Sequence, residues 1–547
     1  MKISTAVKKM LLFSEPYIEN DFEIEENQTN IKYDVRNNQE ISVPEISSDI
    51  ENNFLYIKRR FDSPQNNDVV LRRFVINNKR KCFIVFYDGM VDTRSVDRDI
   101  INSLLNIPLL SDEKEEFSED IIEKYVSHAQ ATVAKDFDTL IEEVNFGSCG
   151  LFVDGFNKGF MLDVRNWGHR SIEKPETEQS IYGPQEAFSE MLRNNSALVR
   201  KILKTEKLIC EGVKIGKISK TRGVLMYISD LTNQSLVDEV RKRINGISID
   251  YCIAIEEVGL LMEENSYMLT SRILSTERPD RVARFLTEGR VVLILSGSPH
   301  ALVFPTNAFE LMHSTSDMYL RLPYANMTRY IRIIAMLLSV LLPALYLAIT
   351  LFHQEMIPTF LVYAISASRE SVPFPSIVEL LLMDISFEMI REAGIRMPNP
   401  LGSTLGIVGG LILGQAAVSA KIVSPIMIIV IALTGLGSFA TPDYSLSWTF
   451  RILRLVFIAL AGLSGFYGVA IGIFLYSVML AAQKSFGTPF LSPLVNRKKG
   501  SLSKSVFVTP IWKNETRPDY LKPKDKRREP KISMKWKSKI RGEKGEK

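Results

Sequence analysis

The spacing of apolar and polar positions divides the chain into two unlike halves. Up to about residue 330, apolar residues come in short runs or at helical spacing, with charges throughout. From Ile331 to about Ala482 they form long, nearly unbroken segments. In the first half, "KCFIVFYDGMVDTRSVDRDIINSLL" (81–105) reads as an apolar strand, a turn and an amphipathic helix. "GVLMYISDLTNQSLVDEVRKRI" (223–244) repeats that order. "FGSCGLFVDGFNKGFMLDV" (146–164) predicts a β-hairpin turning from Asp154-Gly155, and "EGRVVLILSGSPHALVFP" (288–305) a second, turning at Gly297–Pro299. Both features recur at one offset (224 − 82 and 288 − 146, each 142), which predicts two similar α/β subdomains.

Between them, "SIYGPQEAFSEMLRNNSALVRKIL" predicts a helix punctuated by Gly183-Pro184, with apolar positions Phe188, Met191, Leu192, Leu198 and Ile202 packing across both subdomains. Residues 1–65, rich in Asn, Glu and Ser, predict a mostly disordered lead with a short helix near Phe54–Phe61.

In the second half, the apolar run 333–352 is 20 residues long, enough to span a hydrocarbon core of about 30 Å. Arg321, Arg329 and Arg332 place its start on the cytoplasmic side. The segment 357–368 is too short to span alone, and 403–420 and 424–440 form a pair divided by Lys421 and Pro425. The last segment, 452–482, is one long tilted helix or two short ones broken near Gly465–Gly468. With both ends inside, the number of crossings is even; four are expected, the short segments being re-entrant or interfacial. Gly402, Gly406, Gly409, Gly410, Gly414, Gly462, Gly465, Gly468 and Gly472 predict close helix packing.

The expected class is an α/β soluble N-terminal region of two similar subdomains followed by an all-α multi-pass transmembrane domain. Its parts are the lead (1–65), a first α/β subdomain with its connecting helix (66–205), a second α/β subdomain (206–328), the transmembrane helical domain (329–485) and a basic tail (486–547).

Charge adds one feature. The net charge is +4, but residues 497–547 hold 18 Lys/Arg against 6 Asp/Glu, a surplus of 12, so the rest of the chain is about −8. Such a tail suits anionic membrane lipid; nucleic acid is not the expected partner.

A charged stretch interrupts the apolar half. "PSIVELLLMDISFEMIREAGIRMP" (375–398) predicts a helix ending at Gly394 and Pro398. Ser376 and Glu379 have capping-box spacing. Asp384, Glu388 and Glu392 are four apart and fall on one stripe, with Arg391 beside them. An acid at the bilayer centre costs about 2.5–3.5 kcal/mol on insertion scales, so three on one stripe do not face lipid. Three readings stand: an interfacial amphipathic helix, a pore or vestibule lining, and a buried ion-pair network joining Asp384, Glu388 and Arg391. A second charged run, Glu277, Arg278, Asp280, Arg281, Arg284, Glu288 and Arg290, surrounds a helix opened by Pro279. It is a solvated helix face, or an interface or coupling surface toward a neighbouring copy or the membrane segment.

Catalytic signatures fail. "GVKIGKISK" (212–220) lacks phosphate-loop spacing and has Ile218 where Ser or Thr is required. "LSGSPH" (295–300) is a hairpin turn rather than a nucleophile elbow. The five histidines have no metal spacing, and Cys82, Cys149, Cys210 and Cys252 are far apart, as free thiols in a reducing compartment. The N-terminus holds two lysines before only four apolar residues, too few for a signal-peptide core, so the soluble region is expected in the cytosol. No enzyme, metal or cofactor is expected.

The blocks "GPQEAFSEMLRNNSALVRKI", "TERPDRVARFLTEGRVVLIL", "PFPSIVELLLMDISFEMIREAGIRMP" and "GIVGGLILGQAAV" with "VSPIMIIVIA" resemble, in order, the A subunit of the GerA-family spore germinant receptors. The resemblance covers about residues 140–485. Where the family pattern has Glu and Gly in an "AVEAG" stretch, this chain has Ser419 and Lys421. The resemblance implies a multi-pass protein of the spore inner membrane working with a transporter-like B subunit, which binds the nutrient, and a lipoprotein C subunit. It further implies a homo-oligomer, a pentamer, forming a ligand-gated cation channel. An alternative is a non-conducting scaffold that couples the sensor to other germination proteins; a transporter would show a repeat in the membrane half, and the repeat is in the soluble half.

Overall fold

The computed structural model describes residues 22–25, 45–76, 80–106, 131–165, 174–396, 413–495, 506–511 and 514–528. The first sheet holds β1 (Val69–Ile76), β2 (Arg80–Tyr87), β3 (Ala131–Ala134), β4 (Cys149–Val153) and β5 (Gly159–Leu162), in the order β1-β2-β4-β5-β3. The second holds β6 (Leu208–Ile215), β7 (Thr221–Ile228), β8 (Leu274–Thr276), β9 (Val291–Leu295) and β10 (Ala301–Phe304), in the equivalent order β6-β7-β9-β10-β8. Every pairing is antiparallel.

The duplication runs deeper than the strands. Helices α1 (Ile50–Arg60) and α3 (Leu192–Ile202) start 142 residues apart (192 − 50), as do α2 (Phe137–Asn145) and α6 (Pro279–Thr287), at 279 − 137. Even a side-chain clasp repeats: Ser47 N donates to Asn53 Oδ1 at 2.9 Å, and Ser189 N to Asn195 Oδ1 at 2.8 Å. By this register α3 leads into the second sheet as α1 leads into the first. The helix expected from Gly183 therefore starts only at Leu192; the Ser189–Asn195 clasp holds an irregular turn before it. Within the stretch expected to be disordered, residues 45–65 pack on the first sheet, with Ile57 and Phe61 fully buried. Residues 1–21 and 26–44 lie outside the described residues.

Both sheets are covered on both faces. In the first, α1 and α2 cover one face and a helical stretch at 93–105 the other. In the second, α4 (Gln234–Gly246) and α5 (Ile255–Met262) cover one face, and α3 and α6 the other. That is why β2 and β7 read as continuous apolar runs rather than as alternation. Asn66 joins the sheets: it donates to Leu208 O at 3.3 Å and accepts from Cys210 N at 3.0 Å. Buried Arg200, paired to Asp68, donates to the same Asn66. All four cysteines are buried free thiols.

After a capped short helix α7 (Ala308–Leu311) the chain enters its helical half: α8 (Leu322–Phe352), α9 (Thr359–Arg369), α10 (Ser376–Arg396), α11 (Pro425–Phe439) and α12 (Tyr444–Ala481). By length and composition, α8 and α12 are long and apolar enough to cross a membrane. α12 is not straight. Gly465 has φ 60° and ψ −136°, a region open only to glycine, and the helix breaks there. Gly472 lies against Phe457 and Gly468 against the Leu460 carbonyl. Residues fifteen apart in one helix would be separated by about 22 Å, so the two arms fold back on each other. Of the two readings of this segment, the broken one holds.

The break sits level with the end of α8, where His353 packs on Phe466 at 4.8 Å. The open ends of the arms return to the second α/β subdomain: Thr449 donates to Leu269 O, and Tyr476 meets Thr270 at 3.3 Å. Met336 of α8 and Leu446 of α12 belong to the same buried cluster as β7, β9 and α6. The two halves of the molecule thus share a core.

Candidate functional site

Helix α10 is inside-out relative to a soluble amphipathic helix. Leu380, Met383, Asp384 and Arg391 are buried, while Ile385 is 55% and Met389 67% exposed. The charged residues Asp384 and Arg391 therefore face the bundle and the apolar face turns outward, as lipid-facing helices require.

The stripe meets α12. Arg454, 1% exposed, donates through Nη2 to Asp384 Oδ1 at 3.0 Å and to Glu388 Oε1 at 2.8 Å. Its Nε reaches Asp384 Oδ2 at 3.3 Å. Arg391 and Arg451 approach Glu388 at 3.4 and 3.7 Å. Arg391 also donates to Ser438 Oγ on α11 and lies over Phe439 at 4.7 Å. Three guanidinium groups thus surround two carboxylates, and the pairing lies midway along the first arm of α12. The arrangement ties α10, α11 and α12 together by charge in a low-dielectric interior, where breaking one partner is costly.

Of the three stripe residues, Asp384 and Glu388 enter this network and Glu392 lies exposed one turn beyond. Of the three readings offered for the stripe, an ion-pair network within one chain is nearest to this geometry, with Arg454 rather than Arg391 at its centre. The stripe's own spacing does not point to Arg451 or Arg454. Their signal was legible: an arginine inside an apolar span requires a carboxylate partner. Glu379 is also placed differently. It is fully buried, and its carboxylate accepts from Ser424 N at the start of α11. The Ser376 hydroxyl has no hydrogen-bond partner, so the spacing formed no capping box; the carboxylate caps a different helix instead.

The second charged run is not a solvated face. Arg278 is fully buried and forms a forked pair with Asp280 at 3.0 Å while donating to the carbonyls of Glu178 and Pro184. Glu277 accepts from Thr177 N, Thr177 Oγ1 and Glu178 N, each at 2.7 Å. Burial pushes the Glu277 carboxyl up, but these donors outweigh it and hold it below the ordinary glutamate range. Arg290, also fully buried, donates to Glu310 Oε2 at 2.6 Å and to the Tyr520 hydroxyl at 2.9 Å. Burial opposes its charge, yet Glu310, Tyr520 and Glu288 hold it above the ordinary arginine range. Asp280 accepts from Tyr319 at 2.6 Å, and Asp317 pairs with Arg332 at 2.8 Å at the start of α8. This cluster therefore joins the 177–184 linker, α6, the start of α8 and the tail. Arg284 and Glu288, 3.5 Å apart, stand at its edge.

Among the described residues no group of three His, Cys, Asp or Glu side chains could hold a metal.

Residues 55–520 match the family model for the Bacillus/Clostridium GerA spore germination protein. The chain is 35% identical to spore germination protein KA of Bacillus subtilis over 88% of this chain and 89% of the relative. It is 32% identical to spore germination protein GerLA of Bacillus cereus, over 87% and 96%. The crystal structure of the N-terminal domain of the A subunit of the Bacillus megaterium spore germinant receptor GerK3 aligns with 48% of this chain and 96% of that domain, at 30% identity and a TM-score of 0.38. On the family match and these identities across nearly the whole length, the chain belongs to the GerA family of spore germination proteins.

Proposed function

We propose that this chain is the A subunit of a nutrient germinant receptor in the spore inner membrane. In this reading several copies assemble, as a pentamer, around a cation path. A transporter-like B subunit senses the nutrient, a lipoprotein C subunit completes the complex, and the α/β region and tail lie in the cytoplasm. The observation that supports it best is the α10–α12 network. Asp384 and Glu388 are held by Arg454, Arg391 and Arg451 within one subunit, and Glu392 is the stripe's exposed acid. In a symmetric oligomer one such acid per copy becomes a ring, and acid rings concentrate cations. Sliding α10 against α12 would exchange Arg454 between partners, which offers two discrete states rather than a continuum.

The reading is tested by reconstituting the receptor with its partner subunits in vesicles and recording nutrient-evoked potassium flux. Glu392→Gln lowers the flux while the complex still assembles; Glu388→Gln shifts the nutrient dependence. A complete receptor that never conducts, in any of these forms, removes the channel.

One observation favours the second reading, a non-conducting coupling subunit: the second sheet and the helical half share a buried core through Met336 and Leu446. Movement of one half would then be passed to the other without any pore. Unchanged membrane conductance with intact downstream germination would select it.

A further inference from the structure

A cavity of about 750 Å³ opens where the second α/β subdomain, the start of α8 and the returning tail meet. That volume lies within the range of small-molecule sites. The tail forms one wall. Thr516 and Arg527 bridge to each other, Arg517 Nε donates to Thr287 O at 2.9 Å, and Lys524 N donates to Leu231 O at 2.9 Å.

The cavity lining as a whole carries eight Arg/Lys against five Asp/Glu, a surplus of three. Two of the bases, Arg281 and Arg517, are paired to Glu178 and Asp525, and two of the acids, Glu310 and Asp317, to Arg290 and Arg332; all four partners lie outside the cavity lining, so the surplus of three stands. A third acid, Glu288, is shared by Arg284 at 3.5 Å, Arg290 at 3.5 Å and Arg528 at 4.0 Å. These distances lie at or beyond the edge of hydrogen bonding, so one carboxylate stands among three guanidinium groups without closing on any. Arg284 turns its Nη1 to the Met318 sulfur, a weak acceptor that does not satisfy a guanidinium. Among the described residues Lys526, on the tail wall, has no ion pair.

We infer that this cavity binds an anionic phosphate ester, held between Arg284 of α6 and Lys526 and Arg528 of the tail. Guanidinium groups approaching from different elements suit the several oxygens of a phosphate. The site lies beside the start of α8, where Phe507 packs on Tyr330 at 5.5 Å, so the ester is either the headgroup of an anionic lipid of the adjoining leaflet or a soluble phosphate. Because one wall is the tail, occupancy fastens the tail to the subdomain. The inference is independent of whether the oligomer conducts.

The test uses the full chain in detergent. Native mass spectrometry follows retention of phosphatidylglycerol against phosphatidylcholine, and equilibrium dialysis follows inorganic phosphate. Arg284→Ala and the double variant Lys526→Ala/Arg528→Ala, on opposite walls, are compared with Arg72→Ala on the first sheet. Each cavity variant lowers retention at least tenfold, while Arg72→Ala does not. Preference for phosphatidylglycerol that inorganic phosphate does not displace identifies a lipid headgroup; saturable phosphate binding that displaces the lipid identifies a soluble ester. Far-UV circular dichroism keeps a misfolded variant out of the comparison, and the two walls are scored separately. Binding of neither probe, or binding unchanged in both folded cavity variants, overturns the inference.

Discussion

Arg454 and Asp384, 70 residues apart in sequence, meet at 3.0 Å inside the helical half, each almost wholly buried. Removing one partner strands a charge in a low-dielectric interior, which costs about 3–5 kcal/mol, whereas replacing both by apolar residues of similar volume is close to neutral. Arg454→Met is therefore expected to lower the melting temperature of the purified protein sharply. Asp384→Leu/Arg454→Met is expected to recover most of the loss. A double variant no more stable than the worse single one would show that the pair has some further role.

The turn between the arms of α12 depends on Gly465. Its backbone lies in a region closed to side chains, and a Cβ there would meet His353 Cε1 and Phe352 Cβ at 3.0 Å. Gly465→Ala is expected to destabilise by about 1–3 kcal/mol, measured by thermal unfolding in detergent. Ala at Gly246, where a Cβ would meet nothing within 4 Å, serves as the mild control.

Lys421 adopts φ 55° at the turn before α11. A left-handed residue with a side chain costs about 1–2 kcal/mol, and glycine escapes that cost. Lys421→Gly is expected to raise the melting temperature. A lower one would mean that the lysine makes contacts worth more than the strain.

Glu277 provides a pH test. Its folded carboxyl is held below the ordinary value of 4.5, so its ionised form stabilises the docked 177–184 linker above that pH. The contribution is lost as pH falls through the lowered folded value. Hydrogen exchange at Thr177 and Glu178 is expected to accelerate below about pH 4.5, and to be fast at neutral pH in Glu277→Gln.

The Tyr520 hydroxyl receives Arg290 and Asn307, each at 2.9 Å, and donates to Glu310 at 3.1 Å. Tyr520→Phe removes one hydrogen bond from each of these groups while Arg290 and Asn307 stay bound to Glu310, at about 0.5–1.5 kcal/mol per bond. Limited proteolysis is expected to cut the tail faster in the variant, with the α/β core still resistant.

The sequence by itself determined the two halves, because runs of apolar residues at strand length, helix length and membrane length differ in kind. It determined the duplication too, because equal spacing of hairpins and helices survives without knowledge of contacts; the 142-residue register reappears in strands, helices and the Ser–Asn clasps. It marked the 384–392 stripe as unable to face lipid. Only the tertiary structure decided what the stripe faces. The partner of Asp384 comes from a helix 70 residues away, and a one-dimensional pattern gives each helix a polar face but not the neighbour that neutralises it. The same limit explains Glu379, whose spacing fitted a local cap while its carboxylate serves Ser424, 45 residues on. It explains the second charged run as well. Arg278 and Arg290 read as surface charges until the linker, α7 and the tail close over them. Burial is a property of the whole packed chain, and it turned these exposed-looking charges into internal ties.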